Sequence, residues 1–354
     1  MPLIIDGGRV PTRWAEKKSS LPAELHEHYE RSGCVKVALI NNMPDAALED
    51  TELQFFELLD AASDDLPVLL KLYSLTGVPR SERGKPHLNE FYFGIDDLWN
   101  SPFDAIIMTG AEPRQLNLRD EPYWSEMVDV LEWAERNTIS SVLSCLAAHV
   151  SVLHSDGIDR HPLADKQSGV FDFAKSNDHV LTSGTPQRVR FPHSRWNEVR
   201  ADALAASGYL VLTQSAEAGV DSFVKKKKES LFVHFQGHPE YGTQTLLKEY
   251  RRDIRRFLHG ERETYPSMPK GYFDASATRL LTDFQTAVMS DRQEERMAAF
   301  PESAVEGVQN TWQSSATSVY RKWLQYMAAT KTETAACAAM PALHSFPQRK
   351  QSAV

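Results

Sequence analysis

Cysteine is scarce. The chain has three in 354 residues, Cys34, Cys145 and Cys337, and they lie far apart. That spacing excludes a dense disulfide framework and a zinc-type cysteine pair, and it fits a reducing compartment, with the cytoplasm as the expected location. Long apolar runs are missing as well: none approaches the roughly 18 residues that a membrane span requires. The opening Met1-Pro2-Leu3-Ile4-Ile5-Asp6-Gly7-Gly8 has no basic region ahead of a long apolar core, so no signal peptide is expected. Positive charge is not in excess. The net charge is −9, which argues against wholesale binding to a nucleic acid backbone. No internal repeat is found. What remains is an ordinary globular balance, 42% hydrophobic and 25% charged, sufficient for a large core in one large domain or two small ones.

The stretch from Ile139 to His149 organises the chain. A β-branched apolar run ends at Ser144-Cys145, and the small residues Ala147 and Ala148 follow. This reads as a buried strand turning sharply into a helix, with Cys145 in the turn. The positive end of the helix dipole there favours a thiolate, and free backbone N–H groups at such a turn suit a developing oxyanion. A buried structural cysteine explains the stretch equally well. A second stretch, Phe232 to Tyr241, tilts the balance. An apolar strand delivers His238 and Glu240 at its end, and residues two apart in extended chain face the same side. Nucleophile, base and orienting carboxylate can thus converge.

Residues 35–40, 68–73, 103–108 and 139–144 read as strands. Helices are expected between them, one capped by Asp50 or Thr51 and one by Asp120 with Pro122 just inside. Strand–helix alternation at this spacing implies right-handed βαβ units and a parallel sheet. Asn41-Asn42, Thr109-Gly110, Cys145 and His238 all fall at strand ends and would share one rim, where sites collect in such sheets. Beyond residue 157 the pattern turns β-like, with short strands at 180–182, 188–191 and 209–212. A hairpin spans 222–236, its lysine run 225–228 forming a solvated tip. Helices follow at 243–258, near 277–297 and at 319–327. The expected division is an arm at 1–34, a single domain at 35–328 and a disordered tail at 329–354.

A cysteine with a downstream His-x-Glu on such a sheet supports glutamine amide hydrolysis, other amide hydrolysis, or acyl transfer from a thioester. Further residues narrow the choice. Asn42-Met43-Pro44, 52–59, His87 to Tyr92, Thr109-Gly110-Ala111, Tyr123-Trp124, Ser168-Gly169-Val170 and His193-Ser194-Arg195 form an ordered set. Gly237 to Tyr241, Glu249-Tyr250-x-Arg252-Asp253, Trp312 and Trp323-Leu324-x-Tyr326 continue it. Over residues 35–328 the set resembles the homoserine O-acyltransferases of methionine biosynthesis. The resemblance implies a flavodoxin-like α/β fold of the class I glutamine amidotransferase type: a parallel sheet with helices on both faces, plus a smaller β-rich and helical C-terminal part.

It also implies a ping-pong reaction. Cys145 takes the acyl group from acyl-CoA, His238 deprotonates the γ-hydroxyl of L-homoserine, and Glu240 orients the imidazole. Lys166, Ser194 and Arg252 match the family's substrate contacts; an arginine suits an α-carboxylate because it binds both oxygens. Read without the family, Arg252 is a helix-surface charge, Lys166 a loop charge and Ser194 a turn residue. No metal and no cofactor beyond the acyl-CoA co-substrate are implied, and a homodimer is.

The chain departs from the family pattern in three places. Leu146 and His149 stand where the family has an aromatic residue and a glutamine, and His149 becomes a candidate second base. Arg114 occupies the position that sorts acyl donors. Its guanidinium can pair with the free carboxylate of a succinyl group, which favours succinyl-CoA; neighbouring Glu112 leaves acetyl-CoA open. An extra pair of residues after Pro44 leaves serine open as an acceptor in place of homoserine. A glutamine amidotransferase-type amide hydrolase is the alternative of a different class.

Overall fold

The computed structural model describes residues 3–6, 10–17 and 34–339. In chain order, the first half holds β1 (Leu3–Ile5), α1 (Thr12–Lys17), β2 (Val35–Ile40), α2 (Asp45–Ala62), β3 (Val68–Tyr73), α3 (Gly84–Phe91), α4 (Ile95–Asn100), β4 (Ala105–Met108), α5 (Trp124–Asn137), β5 (Ser140–Ser144) and α6 (Leu146–Asp156). Then come β6 (His161–Lys175), β7 (Arg188–Glu198), α7 (Ala201–Ala206), β8 (Leu210–Ser215), β9 (Gly219–Lys227), β10 (Ser230–Phe235), α8 (Thr245–Leu258), α9 (Ala275–Ser290) and α10 (Gln313–Ala339).

All ten strands join one sheet in the order β1-β3-β2-β4-β5-β10-β9-β8-β6-β7. Pairing is parallel from β1 to β10 and antiparallel from β10 to β7. Leaving out β1, the parallel strands renumbered in chain order run 2-1-3-4-5, the flavodoxin-like arrangement. The expected fold class is therefore observed. The β-rich part, β6 to β9, is inserted between β5 and β10 and extends the same sheet.

The parallel strands are apolar because both faces are covered. Along β2, Val35, Val37 and Leu39 pack with Phe55, Phe56 and Leu59 of α2 and Tyr320, Trp323 and Met327 of α10. The alternate residues Ala38 and Ile40 pack on the other face with α5 and α6, through Met127, Val130, Leu131, Ala147 and Val150. A third cluster joins α8 and α9 through Leu246, Tyr250, Ile254, Leu281 and Trp312.

Several expectations are corrected. Leu3–Ile5, expected as part of an arm, pairs in register with Val68–Leu70 as an edge strand; three residues are too few for a period to show. Residues 18–33 of that arm lie outside the described residues. Helix α2 starts at Asp45 after Pro44, so Asp50 and Thr51 are interior to it. Helix α5 starts after Tyr123, with Asp120 in a preceding 3₁₀ turn. Val180–Thr182 is a 3₁₀ turn, not a strand, because the His179 ring accepts the Leu181 N–H. Helix α10 continues to Ala339, past the boundary expected at 329. Its threonines bond back to carbonyls four residues earlier, and Lys331 reaches the Cys34 carbonyl and Asp104. Residues 340–354 of the expected tail are outside the described residues.

Candidate active site

Cys145 sits between β5 and α6 with φ 53° and ψ −110°, a region an L-residue enters only under constraint. Two bonds hold it there. Its N–H donates to the Phe235 carbonyl at 2.7 Å, and its own carbonyl accepts the His149 N–H at 3.3 Å as the helix begins. The half-buried thiol is thus thrust out at the carboxyl end of the sheet.

β10 pairs in register with β5, Phe235 opposite Ser144. The chain leaving β10 therefore passes beside the cysteine, and this is why His238 arrives there. The passage is tight: a Cβ on Gly237 would lie 2.5 Å from Nε2 of His193. The His238 N–H donates to the Pro192 carbonyl at 2.8 Å, and its ring stacks on Tyr241 at 4.2 Å. Nδ1 lies 2.8 Å from Oε1 of Glu240, which also accepts from Ser144 Oγ at 3.3 Å. That bond turns Nε2 towards Cys145, and His238 and the sulfur are in hydrogen-bond contact. Burial opposes charge on the imidazole, but Cys145 and Glu240 outweigh it and lift His238 well above its ordinary range. The second oxygen of Glu240 is buried without a partner, as is the hydroxyl of Tyr320 on α10, whose ionisation burial and the Glu240 charge both oppose.

These groups open into a cavity of about 610 Å³. Thr109, Gly110, Cys145 and His238 line it, as expected of one rim. Asn41 and Asn42 instead lie buried beneath it. Asn42 donates its N–H to Thr109 Oγ1 at 2.8 Å and its side-chain amide to the Thr109 carbonyl at 3.2 Å, tying the ends of β2 and β4 together. Met43 and Pro44 form the lining in their place.

Lys166, Ser194 and Arg252 come together on one wall, around two acids that the residue-by-residue reading assigned no role. Lys166 Nζ donates to Glu249 Oε2 at 3.1 Å and to Asp253 Oδ2 at 2.9 Å. Ser194 Oγ also donates to Glu249, and Arg252 Nε donates to Asp253 Oδ1 at 3.1 Å. Burial would raise the Glu249 carboxyl, yet Lys166, Ser194 and Arg252 hold it at about 2. Spacing carries the signal: Glu249, Arg252 and Asp253 at i, i+3 and i+4 share one face of α8.

His149 lines the cavity, but its Nε2 donates to Gln236 Oε1 at 3.0 Å, because that oxygen also accepts the Val199 N–H. Burial lowers it to about 4, so the ring is neutral. Arg114 is not among the lining residues. Its side chain is exposed, and its N–H and that of Gln115 are held by Glu121 Oε1 at 2.5 and 2.6 Å. The lysine run is engaged locally: Lys225 and Lys227 pair with Asp156 and Lys228 with Glu135. Among the described residues, no group of three or more His, Cys, Asp or Glu is placed to hold a metal ion, and no helix is long and apolar enough to cross a membrane.

A cysteine on a strained strand-to-helix turn, an oriented histidine and a cation-rich cavity match one family in sequence as well. The family model for homoserine O-succinyltransferase matches residues 21–334. The chain belongs to the homoserine O-succinyltransferase family. A protein of that name from Rhodopseudomonas palustris is 45% identical over 310 residues, covering 86% of this chain and 93% of its own. Another, from Bradyrhizobium japonicum, is 41% identical over 335 residues, covering 93% and 99%. Among solved structures, a glutamine amidotransferase from Thermotoga maritima aligns with a TM-score of 0.43 at 13% identity, covering 83% of this chain and 98% of that one. Family membership makes the chain an acyltransferase relative and accords with the resemblance read from its motifs.

Within that family setting, Glu240→Gln keeps an acceptor for the His238 proton but removes the charge. Turnover is expected to fall roughly 10- to 100-fold while the acyl-enzyme still forms. Steady-state rates paired with mass measurement of the acylated protein check this; unchanged turnover would remove the orienting role.

Proposed function

We propose that the protein is a homoserine O-succinyltransferase that works through an acyl-cysteine. The observation carrying this reading is the Cys145–His238–Glu240 contact at the floor of a cavity large enough for an acyl group and an amino acid together.

In the first half-reaction the Cys145 thiolate attacks the thioester carbon of succinyl-CoA. A new C–S bond forms, the bond to the CoA sulfur breaks, and the imidazolium of His238 protonates the departing thiolate. Exchange between two thioesters is nearly balanced, so oxyanion stabilisation matters more than driving force. The Cys145 N–H is already committed to Phe235 and is not a donor. Leu146, the first residue of α6, has no carbonyl of its own helix to bond. Gly110 packs so closely that a Cβ there would lie 3.0 Å from the Leu146 nitrogen. The backbone N–H groups of Leu146 and Gly110 are the oxyanion donors in this reading.

In the second half-reaction the γ-hydroxyl of homoserine attacks the acyl-cysteine. His238 takes the hydroxyl proton, and the sulfur leaves as thiolate. The products are CoA and O-succinylhomoserine. Glu240 and the Tyr241 ring keep the imidazole in place through both steps.

Lys166, Ser194 and Arg252 hold the acceptor amino acid, with Arg252 on its α-carboxylate and Glu249 and Asp253 facing its ammonium. Arg252→Ala is expected to raise the homoserine KM roughly 10- to 100-fold, with kcat and the donor KM little changed. Initial rates against each substrate check it; an effect confined to the CoA substrate would contradict the assignment. A cytoplasmic homodimer is the setting the resemblance implies. The whole reading is tested by offering succinyl-CoA and acetyl-CoA against homoserine and serine. O-succinylhomoserine should dominate, and amide hydrolysis without CoA release would overturn it.

A further inference from the structure

Six cationic side chains line the cavity: Arg160, Lys166, Arg195, Arg252, Arg256 and Arg262. Five of them already have partners. Lys166 is held by Glu249 and Asp253, Arg252 by Asp253, and Arg256 pairs with Glu112 at 3.3 Å. Arg195 donates to the carbonyls of Asn197 and Ala218, and Arg262 to that of Thr264. Arg160 alone among the six makes no hydrogen bond or ion pair of its own with a described residue. It is half-buried in the short loop between α6 and β6. A guanidinium in that position lacks the direct hydrogen-bonded or ion-pair partner that partly buried arginines normally have.

Its surroundings place it apart from the acceptor wall. The groups that act on its charge are Tyr123, Glu121 and Cys145, and it acts in turn on His149. Glu249 and Asp253, which organise Lys166 and Arg252, are not among them. The nearby Glu121 holds the N–H groups of Arg114 and Gln115 with Oε1, while its Oε2 is buried without a hydrogen-bond partner, so it acts on Arg160 through its charge and makes no ion pair with it. Arg160 thus lines the cavity within reach of the charge of Cys145 and outside the acid pair that holds Lys166 and Arg252.

The proposed reaction brings two carboxylates into this cavity at once. One is the α-carboxylate of the acceptor. The other is the free carboxylate of the succinyl group, carried on Cys145. An acetyl group has no such carboxylate. Lys166 and Arg252 already serve the first. We propose that Arg160 is the donor-side carboxylate site: it binds the free carboxylate of the succinyl group and sets the preference for a dicarboxylic acyl donor. This rests on the acyl-cysteine reading above, and it moves donor selection from exposed Arg114 to a residue inside the cavity. A guanidinium–carboxylate pair is short and charge-assisted, and its removal penalises only the donor that carries the second carboxylate.

The test compares release of CoA from succinyl-CoA and from acetyl-CoA by the full-length wild-type protein and the variants Arg160→Ala, Arg160→Lys and Arg114→Ala. Arg160→Ala should lower kcat/KM for succinyl-CoA by roughly 10- to 100-fold and leave acetyl-CoA within about 3-fold. Arg160→Lys should recover part of the loss, since charge remains while the fork is gone, and Arg114→Ala should leave the donor ratio within about 3-fold. An equal fall for both donors in Arg160→Ala, or a donor ratio that follows Arg114 instead, would overturn the assignment. Failure of the underlying reading looks different: neither donor would then acylate Cys145 in the wild-type protein.

Discussion

Cys145→Ala is expected to lose at least roughly 10⁴-fold in turnover with succinyl-CoA and homoserine, and to carry no acyl group after exposure to either donor. The effect is large because the sulfur is the atom that is acylated, and the cavity offers no second thiol. Cys34 is buried in a separate cluster with Ile4 and Leu69, and Cys337 belongs to the last turns of α10. The variant should fold normally. The bonds that hold the elbow run from the backbone, through the Cys145 N–H to Phe235 and its carbonyl to the His149 N–H, and alanine keeps both. A circular dichroism melt matching the wild type, together with absent turnover, is the predicted pair of results. Residual turnover above about a hundredth of wild type would mean that acyl transfer proceeds without the cysteine.

His238→Asn ranks next. Asparagine still offers an amide near Glu240, but it cannot exchange a proton. CoA leaving in the first step and homoserine attacking in the second both need that exchange, so both half-reactions should slow, by roughly 10³-fold or more. Rapid-mixing measurement of CoA release, followed by release of the acyl group on adding homoserine, separates them. A loss confined to one half-reaction would mean that another group carries the proton in the other. His149 and His193 are the nearby imidazoles. Both are held near 4 by burial and bonded to Gln236 and Asp221 respectively, so neither is placed to substitute.

The parallel half of the sheet was legible because strands covered on both faces are mostly apolar, as Val35–Ile40 and Val68–Tyr73 are apart from one lysine each, and because Val142-Leu143 in the serine-rich Ser140–Ser144 leads straight to the cysteine. β6 was not. Its first half, His161 to Ser168, has no buried residue and mixes charged with apolar residues, so no period of two appears. Helix α3 was hidden for a similar reason: only Gly84 in it is buried, and Pro86 in its first turn reads as a loop signal. Helix starts were misplaced where a polar residue interior to a helix looked like a cap. Thr51 and Glu52 are buried in α2, where Glu52 accepts from His87 and the Tyr92 hydroxyl.

At the site, the catalytic trio could be read because its members sit at the ends of apolar strands and two of them are two residues apart. The acceptor wall could be read only through family resemblance. Lys166 and Ser194 lie far from Arg252 in sequence, and only the folding of β6 against β7 and the docking of α8 bring them to one pair of acids. Arg160 could not be read at all. A lone arginine after Gly157-Ile158-Asp159 is indistinguishable from a surface charge until the cavity is built and its other cations are seen to be engaged.

The central claim is that the sulfur of Cys145 holds the acyl group between two substrates. Intact-mass measurement of the purified protein with succinyl-CoA and no acceptor tests it most directly. One succinyl group per chain should appear, map to Cys145, and disappear on adding homoserine as O-succinylhomoserine forms. Product formed while the protein stays unmodified, or an adduct on another residue that homoserine discharges, would contradict it.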